Sequence, residues 1–156
     1  MAQQNRLIAF VALALLVFSV DIAAGWFGKD SGWSADDKRN FCHFLNSQQA
    51  YGKATQIQNA AEKYATEQEV AKMLSYWRDA LREASQVSDA VLDKVNPGLS
   101  EKYRSMYQRG LEYKIAAFEQ QKMSFAITGS KMISDYIDWF GTAEYRVPKG
   151  TAAACK

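Results

Sequence analysis

An uncharged apolar run near the start of the chain, residues 7–20, most constrains how the rest can fold. Arg6 precedes the run and Asp21 ends it. A run of this length fits the apolar region of a signal peptide or most of a transmembrane helix, which needs about 20 mainly apolar residues. The polar remainder must therefore fold outside lipid. The residues predicted to contact lipid are Leu7, Ile8, Phe10, Leu13, Leu15, Leu16, Val17 and Phe18.

Two interpretations of this segment remain open. Small residues at 23–25 would permit signal cleavage before Trp26. A retained helix over residues 7–27 would contain a single acid, Asp21, close to one end, where its cost in the bilayer is lower. Trp26 and Phe27 would then suit the aromatic belt at the membrane surface. We expect a retained anchor, with a cleaved, secreted chain as the alternative.

The orientation of such an anchor is weakly determined by its flanking charges. Arg6 stands alone before the apolar run, whereas Lys29, Lys38 and Arg39 follow it. A strict count of positive charges would leave the following domain in the cytoplasm. The signal-like form of the segment indicates export instead. We therefore expect an extracytoplasmic domain.

The charge of the chain excludes one class of partner. The 156 residues include 19 Lys and Arg and 17 Asp and Glu, which gives a net charge of +2. The two signs are interleaved along the chain. A nucleic-acid-binding protein would concentrate basic residues in one stripe. We therefore expect membrane lipid and other protein subunits, and no nucleic acid, as partners.

Two cysteines, Cys42 and Cys155, stand far apart in the sequence. In an exported domain they could form one disulfide that joins the tail to the first helix, or they could link two chains. Alternatively, Cys42 is a buried thiol and Cys155 is incidental. The sequence leaves these alternatives open.

Two capping boxes and one turn delimit the first helices. Ser34 with Asp37 predicts a helix over residues 35–65, with a break near Gly52. A second capping box begins at Thr66 and predicts one amphipathic helix of seven turns to residue 95. The Asn-Pro-Gly sequence at 96–98 ends it.

The second half of the chain repeats the helical periodicity. Ser100 is predicted to cap a third helix that extends to about Phe125. The Thr-Gly-Ser sequence at 128–130 is predicted to interrupt the pattern before a short fourth helix over 131–140. Residues from Gly141 onward are predicted to form a flexible tail.

These elements predict an all-α fold. Helices two and three should pack as an antiparallel hairpin, helix one should complete a three-helix bundle, and the short fourth helix should cover one end. The predicted divisions are an anchor or signal-like segment at 1–25, a hinge at 26–33, a helical domain at 34–140 and a tail at 141–156.

The sequence contains no motif for a metal, a cofactor or a nucleophile. His43 is the single histidine and, next to Cys42 on a helix, cannot chelate one metal with it. Asp135 and Asp138 lie one turn apart, but such pairs are usually solvated. We therefore expect no catalytic residue, no cofactor and no metal, although a site shared with other chains would draw on these three side chains.

Aromatic residues make up 13% of the chain, and neighbours such as those at 136, 139 and 140 cannot all face one core. Tyrosine and tryptophan suit both cores and interfaces. The predicted interface residues are Trp26, Phe27, Tyr136, Trp139 and Phe140.

These observations lead to two functional hypotheses. The first is a non-enzymatic accessory or structural subunit of a larger membrane protein assembly, anchored by one transmembrane helix and docking through its helical domain. The alternative is a secreted helical protein that binds a small apolar ligand or another protein between or along its helices.

Overall fold

The computed structural model describes residues 32–61 and 65–155, and within these ranges the secondary structure is entirely helical. The all-α prediction is confirmed. The predicted anchor, with Trp26 and Phe27, lies outside the described residues. In the described ranges, no helix combines the length and apolar character needed to cross a bilayer. The helices are α1 (Ala35–Ala60), α2 (Glu67–Gln86), α3 (Asp89–Val95), α4 (Leu99–Lys102), α5 (Arg109–Glu119) and α6 (Met123–Thr142).

Both predicted capping boxes begin a helix. The Asp37 amide donates to Ser34 Oγ at 3.0 Å, and the Ser34 amide donates to Asp37 Oδ2 at 2.7 Å. Thr66 and Glu69 make the same reciprocal pair at the start of α2. Each box satisfies two backbone donors that the first helical turn leaves unpaired. α1 continues through Gly52 to Ala60, so the break predicted near Gly52 is absent from it.

The predicted seven-turn second helix is wrong, because the chain leaves helical geometry at Val87 and divides into α2 and α3. Asn40, on α1, holds this break from both sides. Its Nδ2 donates to the Gln86 carbonyl at 2.9 Å, and its Oδ1 accepts from the Ser88 amide at 2.7 Å. Ser88 then caps α3. A side chain 48 residues away in sequence from Ser88 thus replaces the helical hydrogen bonds.

The turn at 96–98 reverses the chain as predicted. Gly98 has φ of 86°, a conformation that glycine adopts without steric cost. The next helix begins at Leu99, and Ser100 does not cap it. The Ser100 hydroxyl instead donates to Asp93 Oδ2 at 2.9 Å. α4 leads through a π-helical turn, Tyr103–Gln108, directly into α5.

The last helix is long and uninterrupted, which corrects the predicted short fourth helix. α6 runs through residues 128–130 because Gly129 serves helix packing there. A Cβ at Gly129 would lie 2.6 Å from the Gly110 carbonyl oxygen on α5. The two glycines therefore allow α5 and α6 to approach closely. The domain contains four long helical segments where three and a short cap were expected.

The helices form two antiparallel hairpins, α1 with α2 and α5 with α6. Ser47 on α1 donates to the Ala80 carbonyl on α2 at 2.7 Å. In the second hairpin, the rings of Tyr113 and Phe125 lie 5.4 Å apart. The hairpins meet through α2, α5 and the π turn. Their shared core includes the fully buried side chains of Trp77, Leu92, Leu99, Tyr103, Tyr107, Leu111, Ile133 and Tyr136.

The segment after α6 is packed, in contrast to the flexible tail predicted from residue 141. The Arg146 amide donates to the Val95 carbonyl at 2.8 Å, which joins the segment to α3. A short 3₁₀ turn, Ala152–Ala154, contacts α1. The buried side chains of this segment have no helical period that a sequence pattern could reveal; they include Tyr145, Val147 and Thr151.

Candidate interaction surface

A disulfide joins Cys42, in the second turn of α1, to Cys155, 113 residues later. Of the alternatives that the sequence left open, the structure has the intrachain bridge. The bond connects the packed segment after α6 to the first helix. Both cysteines are half-buried. Within the described residues, no cysteine is left as a free thiol.

The two ends of the described domain meet on one side of the molecule. Gly32, the first described residue, accepts a hydrogen bond from Lys94 Nζ on α3 at 3.5 Å. The segment after α6 pairs with Val95, the next residue of α3. The disulfide fixes Cys155 against Cys42 on α1. We call the region of Gly32, Lys94 and the disulfide the tethered end, because the N-terminal segment enters the domain here.

Aromatic rings fill the interior next to the tethered end. The ring centroids of Tyr103 and Tyr107 lie 4.9 Å apart, and those of Tyr107 and Tyr136 lie 5.2 Å apart. Phe140 extends this cluster to Tyr145 at 4.3 Å. Burial raises the pKa of the Tyr107 and Tyr136 hydroxyls well above 10. These tyrosines therefore stay neutral in the folded domain over the physiological range.

This packing corrects part of the predicted interface. The Tyr136 side chain is 1% exposed and lies within the core, so it offers no surface to a partner. Trp139 and Phe140 are half-buried and pack against the core. Phe140 contacts Phe44 on α1, with ring centroids 5.9 Å apart. Adjacent aromatics that appeared surplus in the sequence are accommodated because α6 packs against the π turn and also contacts α1.

Large apolar side chains are exposed at the other end of α6. Met123 is 75% exposed, Ile127 is 66% exposed, and Phe118, just before the α5–α6 turn, is 37% exposed. We call these three residues the hairpin tip. Met123 and Ile127 are four residues apart and therefore share one helical face. The sequence carries a signal for them, since Ser130 and Ser134 continue that face as a polar surface.

A shallow groove of about 430 Å³ runs between α2 and α5. Leu81 and Ile115 supply its apolar lining. Arg78 Nη2 and Glu119 Oε1 pair across it at 2.7 Å. The charges along this groove are of both signs, and Arg82 also pairs with Asp79 beside it. The groove therefore offers a partner less unpaired apolar surface than the hairpin tip does.

One buried cation lies between the groove and the hairpin tip. Lys114, on α5, is 5% exposed, and its Nζ lies 4.8 Å from the Trp77 ring centroid on α2. Burial lowers the pKa of Lys114 from 10.5 to about 8. Sequence reasoning missed this residue. Its position three residues after Leu111 and four before Phe118 places it on the apolar face of the helix.

Of the polar residues considered for chemistry, His43 and Asp135 each pair with one side chain. His43 Nδ1 lies 2.8 Å from Glu83 Oε2, which connects α1 to α2. Lys131 Nζ pairs with Asp135 at 2.7 Å, one turn apart on α6. Asp138 is exposed. The described ranges 32–61 and 65–155 contain no cluster of three metal-ligating side chains.

The predicted site residues thus divide into three groups. The structure brings Cys42 and Cys155 together, and it places Tyr136 inside the core with Trp139 and Phe140 packed against it. Trp26, Phe27 and the predicted lipid-contacting residues lie outside the described ranges. The hairpin tip and Lys114 are additions that the structure makes. Comparison with protein-family models, curated proteins and solved structures finds no match to this chain.

Proposed function

We propose that this chain is a non-enzymatic accessory subunit of a larger membrane assembly, attached by its N-terminal segment and docking through the hairpin tip. The apolar run at 7–20 supplies the attachment. The tip supplies the docking surface, and the partner is another protein subunit. The helices between them act as a rigid spacer.

The observation that carries this proposal is the position of the exposed apolar residues. Met123 lies at the start of α6, whereas the segment after its last turn pairs with Val95 of α3, next to Lys94 at the tethered end. A helix of this length spans roughly 30 Å. The tip is therefore displaced from the point where the N-terminal segment enters the domain. Exposed apolar side chains grouped at one place are a feature of protein interaction sites.

The disulfide supports an extracytoplasmic location for the domain. Structural disulfides persist in oxidising compartments and are rare in the cytosol. The bridge between Cys42 and Cys155 therefore favours export, in agreement with the signal-like form of the first residues. An attached domain also meets its partner at a high effective concentration, so a small docking surface suffices.

Site-specific photo-crosslinking in native membranes tests the docking surface. A photoreactive amino acid at Ile127 should give one discrete adduct with a membrane-assembly subunit, because this side chain is exposed at the tip. The same amino acid at Ser134, exposed further along α6, serves as the matched control. An adduct of equal yield at Ser134, or none at Ile127, contradicts the proposal.

Membrane attachment and sidedness need their own test. After washing with alkaline carbonate, the chain should remain with the membranes. A membrane-impermeant reductant followed by a thiol-reactive polymer should shift the chain in intact cells or spheroplasts, because the disulfide would face the extracytoplasmic side. Release into the supernatant, or protection of the disulfide until lysis, contradicts the proposal.

A second candidate is the secreted, ligand-binding protein, and Lys114 is the observation that favours it. A buried cation beside an aromatic ring is a potential ligand contact. The intact mass of the mature chain separates the candidates. A mass lacking about 25 residues, as signal cleavage would give, supports the secreted form and contradicts the retained anchor.

A further inference from the structure

Lys114 is a lysine inside the protein without a counter-charge. Its side chain is 5% exposed, and within the described ranges its Nζ makes no hydrogen bond or ion pair. The ammonium nitrogen lies over the face of the Trp77 ring, 4.8 Å from its centroid. Buried lysines are normally paired with an acid. A cation–π contact offsets only part of the cost of removing an ammonium group from water.

The same indole carries a second unused donor. Trp77 is 2% exposed, and its Nε1 is buried with no hydrogen-bond acceptor in the described part of the chain. Buried indole N–H groups usually find an acceptor. The ammonium of Lys114 lies over the ring whose edge carries this N–H, so within the described ranges two donors without an acceptor belong to one pair of residues. The chemistry that satisfies both is that of an anion with more than one acceptor oxygen, such as a carboxylate.

An apolar path connects this volume to the surface. Phe118 lies one helical turn after Lys114, and its ring centroid is 5.5 Å from that of Trp77. The Phe118 side chain is 37% exposed. Aromatic surface thus continues from Lys114 over Trp77 to Phe118, which is itself partly exposed and belongs to the hairpin tip. A small inorganic anion would gain nothing from this surface, whereas a hydrocarbon chain would cover it.

We propose that Lys114, Trp77 and Phe118 form a binding site for amphipathic monocarboxylates of the fatty-acid class. The carboxylate accepts from Lys114 Nζ and Trp77 Nε1. The hydrocarbon chain follows Phe118 outward toward Met123 and Ile127. Phe118 turns toward solvent to admit the chain, which its partial exposure permits. This site goes beyond the proposed docking function and shares the hairpin tip with it, but the contact with Lys114 belongs to the ligand site alone.

The test uses the full-length chain in membranes and a photoactivatable decanoate as the probe. The probe should label the chain, and the adduct should map to the α5–α6 turn near Phe118. Excess decanoate should compete with the label, whereas decanol, which has the same chain length without the charge, should compete at least about ten-fold less well, as expected for loss of a buried charged contact.

Variants of two lysines make the test specific. K114M should reduce labelling at least about ten-fold, and K114R, which keeps the charge, should retain most of it. K131M, which removes an exposed lysine on α6, is the matched control and should label as the parent does. Retention of the Cys42–Cys155 disulfide reports that each variant is folded.

Three outcomes overturn the inference: unchanged labelling of K114M, equal competition by decanol, or an adduct that maps away from the α5–α6 turn. These outcomes are distinguishable from failure of the docking proposal. The crosslink at Ile127 and the retention of the chain in carbonate-washed membranes do not require Lys114. If K114M labels normally while the crosslink persists, the ligand site is excluded and the docking function stands.

Discussion

The side chains at the tethered end are bonded or buried, whereas those at the hairpin tip are exposed to solvent or lie close to an unpaired charge. At the tethered end, a disulfide, a backbone bond from Arg146 to Val95 and a cluster of buried rings hold several segments together. At the tip, large apolar side chains face solvent, and nearby Lys114 is buried without an acid. The comparison indicates that stability is concentrated at one end and that the other end is available for binding.

Removal of the disulfide should have the largest effect on this comparison. The double substitution C42S/C155S should lower the free energy of unfolding by about 3–5 kcal/mol, because the bridge closes a loop of more than one hundred residues in the unfolded chain. Chemical denaturation of the oxidised parent and the variant measures it. Reduced parent protein is the control and should match the variant. A loss below about 1 kcal/mol would show that the tethered end does not depend on the bridge.

Replacement of Lys114, close to the hairpin tip, should stabilise the domain. Because burial lowers its pKa from 10.5 to about 8, the unfolded chain binds the Lys114 proton more tightly than the folded chain does. The free energy of unfolding should therefore rise between pH 8 and 10. K114M should abolish that rise and add roughly 2–3 kcal/mol at pH 7.

The buried tyrosines set the upper limit of the pH range over which the free energy of unfolding rises. Burial raises the pKa of Tyr107 and Tyr136, so their contribution to stability is complete below pH 10 and is lost at higher pH. Denaturation at a series of pH values should show a maximum near pH 10 in the parent. K131M, which removes an exposed lysine, is the control and should keep the same maximum. If the stability of the parent is constant from pH 8 to 10, the pKa of Lys114 is not lowered as expected.

A pair of glycine substitutions tests where the helices are tightly packed. G129A should lower the free energy of unfolding by about 1–3 kcal/mol, because the new Cβ meets the Gly110 carbonyl oxygen. G52A is the matched variant, since no atom lies within 4 Å of a Cβ there. It should raise stability by about 0.5–1 kcal/mol through helix propensity. Thermal denaturation of both variants gives the comparison, and two shifts of the same sign contradict it.

The smallest expected effect compares the two capping boxes. Asp37 pairs with Lys94 Nζ at 2.6 Å, and this pair, with the hydrogen bonds from Ser34, lowers the pKa of Asp37 from 3.8 to about 2. D37N should cost about 1 kcal/mol at pH 7, as expected for loss of a cap. This contribution should be complete above pH 4 and lost as the pH falls toward 2, because the unfolded chain protonates first.

Glu69 provides the matched control for that experiment. It forms the same capping box with Thr66 at the start of α2, but no cation is paired with its half-exposed acid in the described residues. E69Q should therefore reduce stability less than D37N. Urea denaturation at pH 7 and pH 3 measures both variants. A larger loss for E69Q would contradict the view that the tethered end is the more strongly held.

Local sequence signals were sufficient to predict where some helices begin and end. Ser34, Thr66 and the turn at 96–98 act on backbone groups within three residues, so the helix boundaries they define could be predicted. The boundary at Val87 could not, because Asn40 creates it from a different helix. Gly129 was misread for the same reason, since its partner Gly110 lies on another helix.

The candidate sites depend still more on tertiary packing. The sequence offered Cys42 and Cys155 as a potential pair, and only the fold brings them together. Tyr136 was expected outside because a helical wheel cannot tell which aromatic faces a neighbouring helix. Lys114 carries a visible signal, a basic residue in phase with Leu111 and Phe118, although a lysine there usually extends its amine to water.

The covalent bond between Cys42 and Cys155 has a mechanical consequence. A pull between the segment before α1 and the segment after α6 would pass along the first turns of α1 to Cys42 and then through sulfur to Cys155. Helices α2 to α6 lie outside that load path. Tension applied to these two segments would therefore leave the hairpin tip unstrained, and a complex formed at the tip would not bear the force.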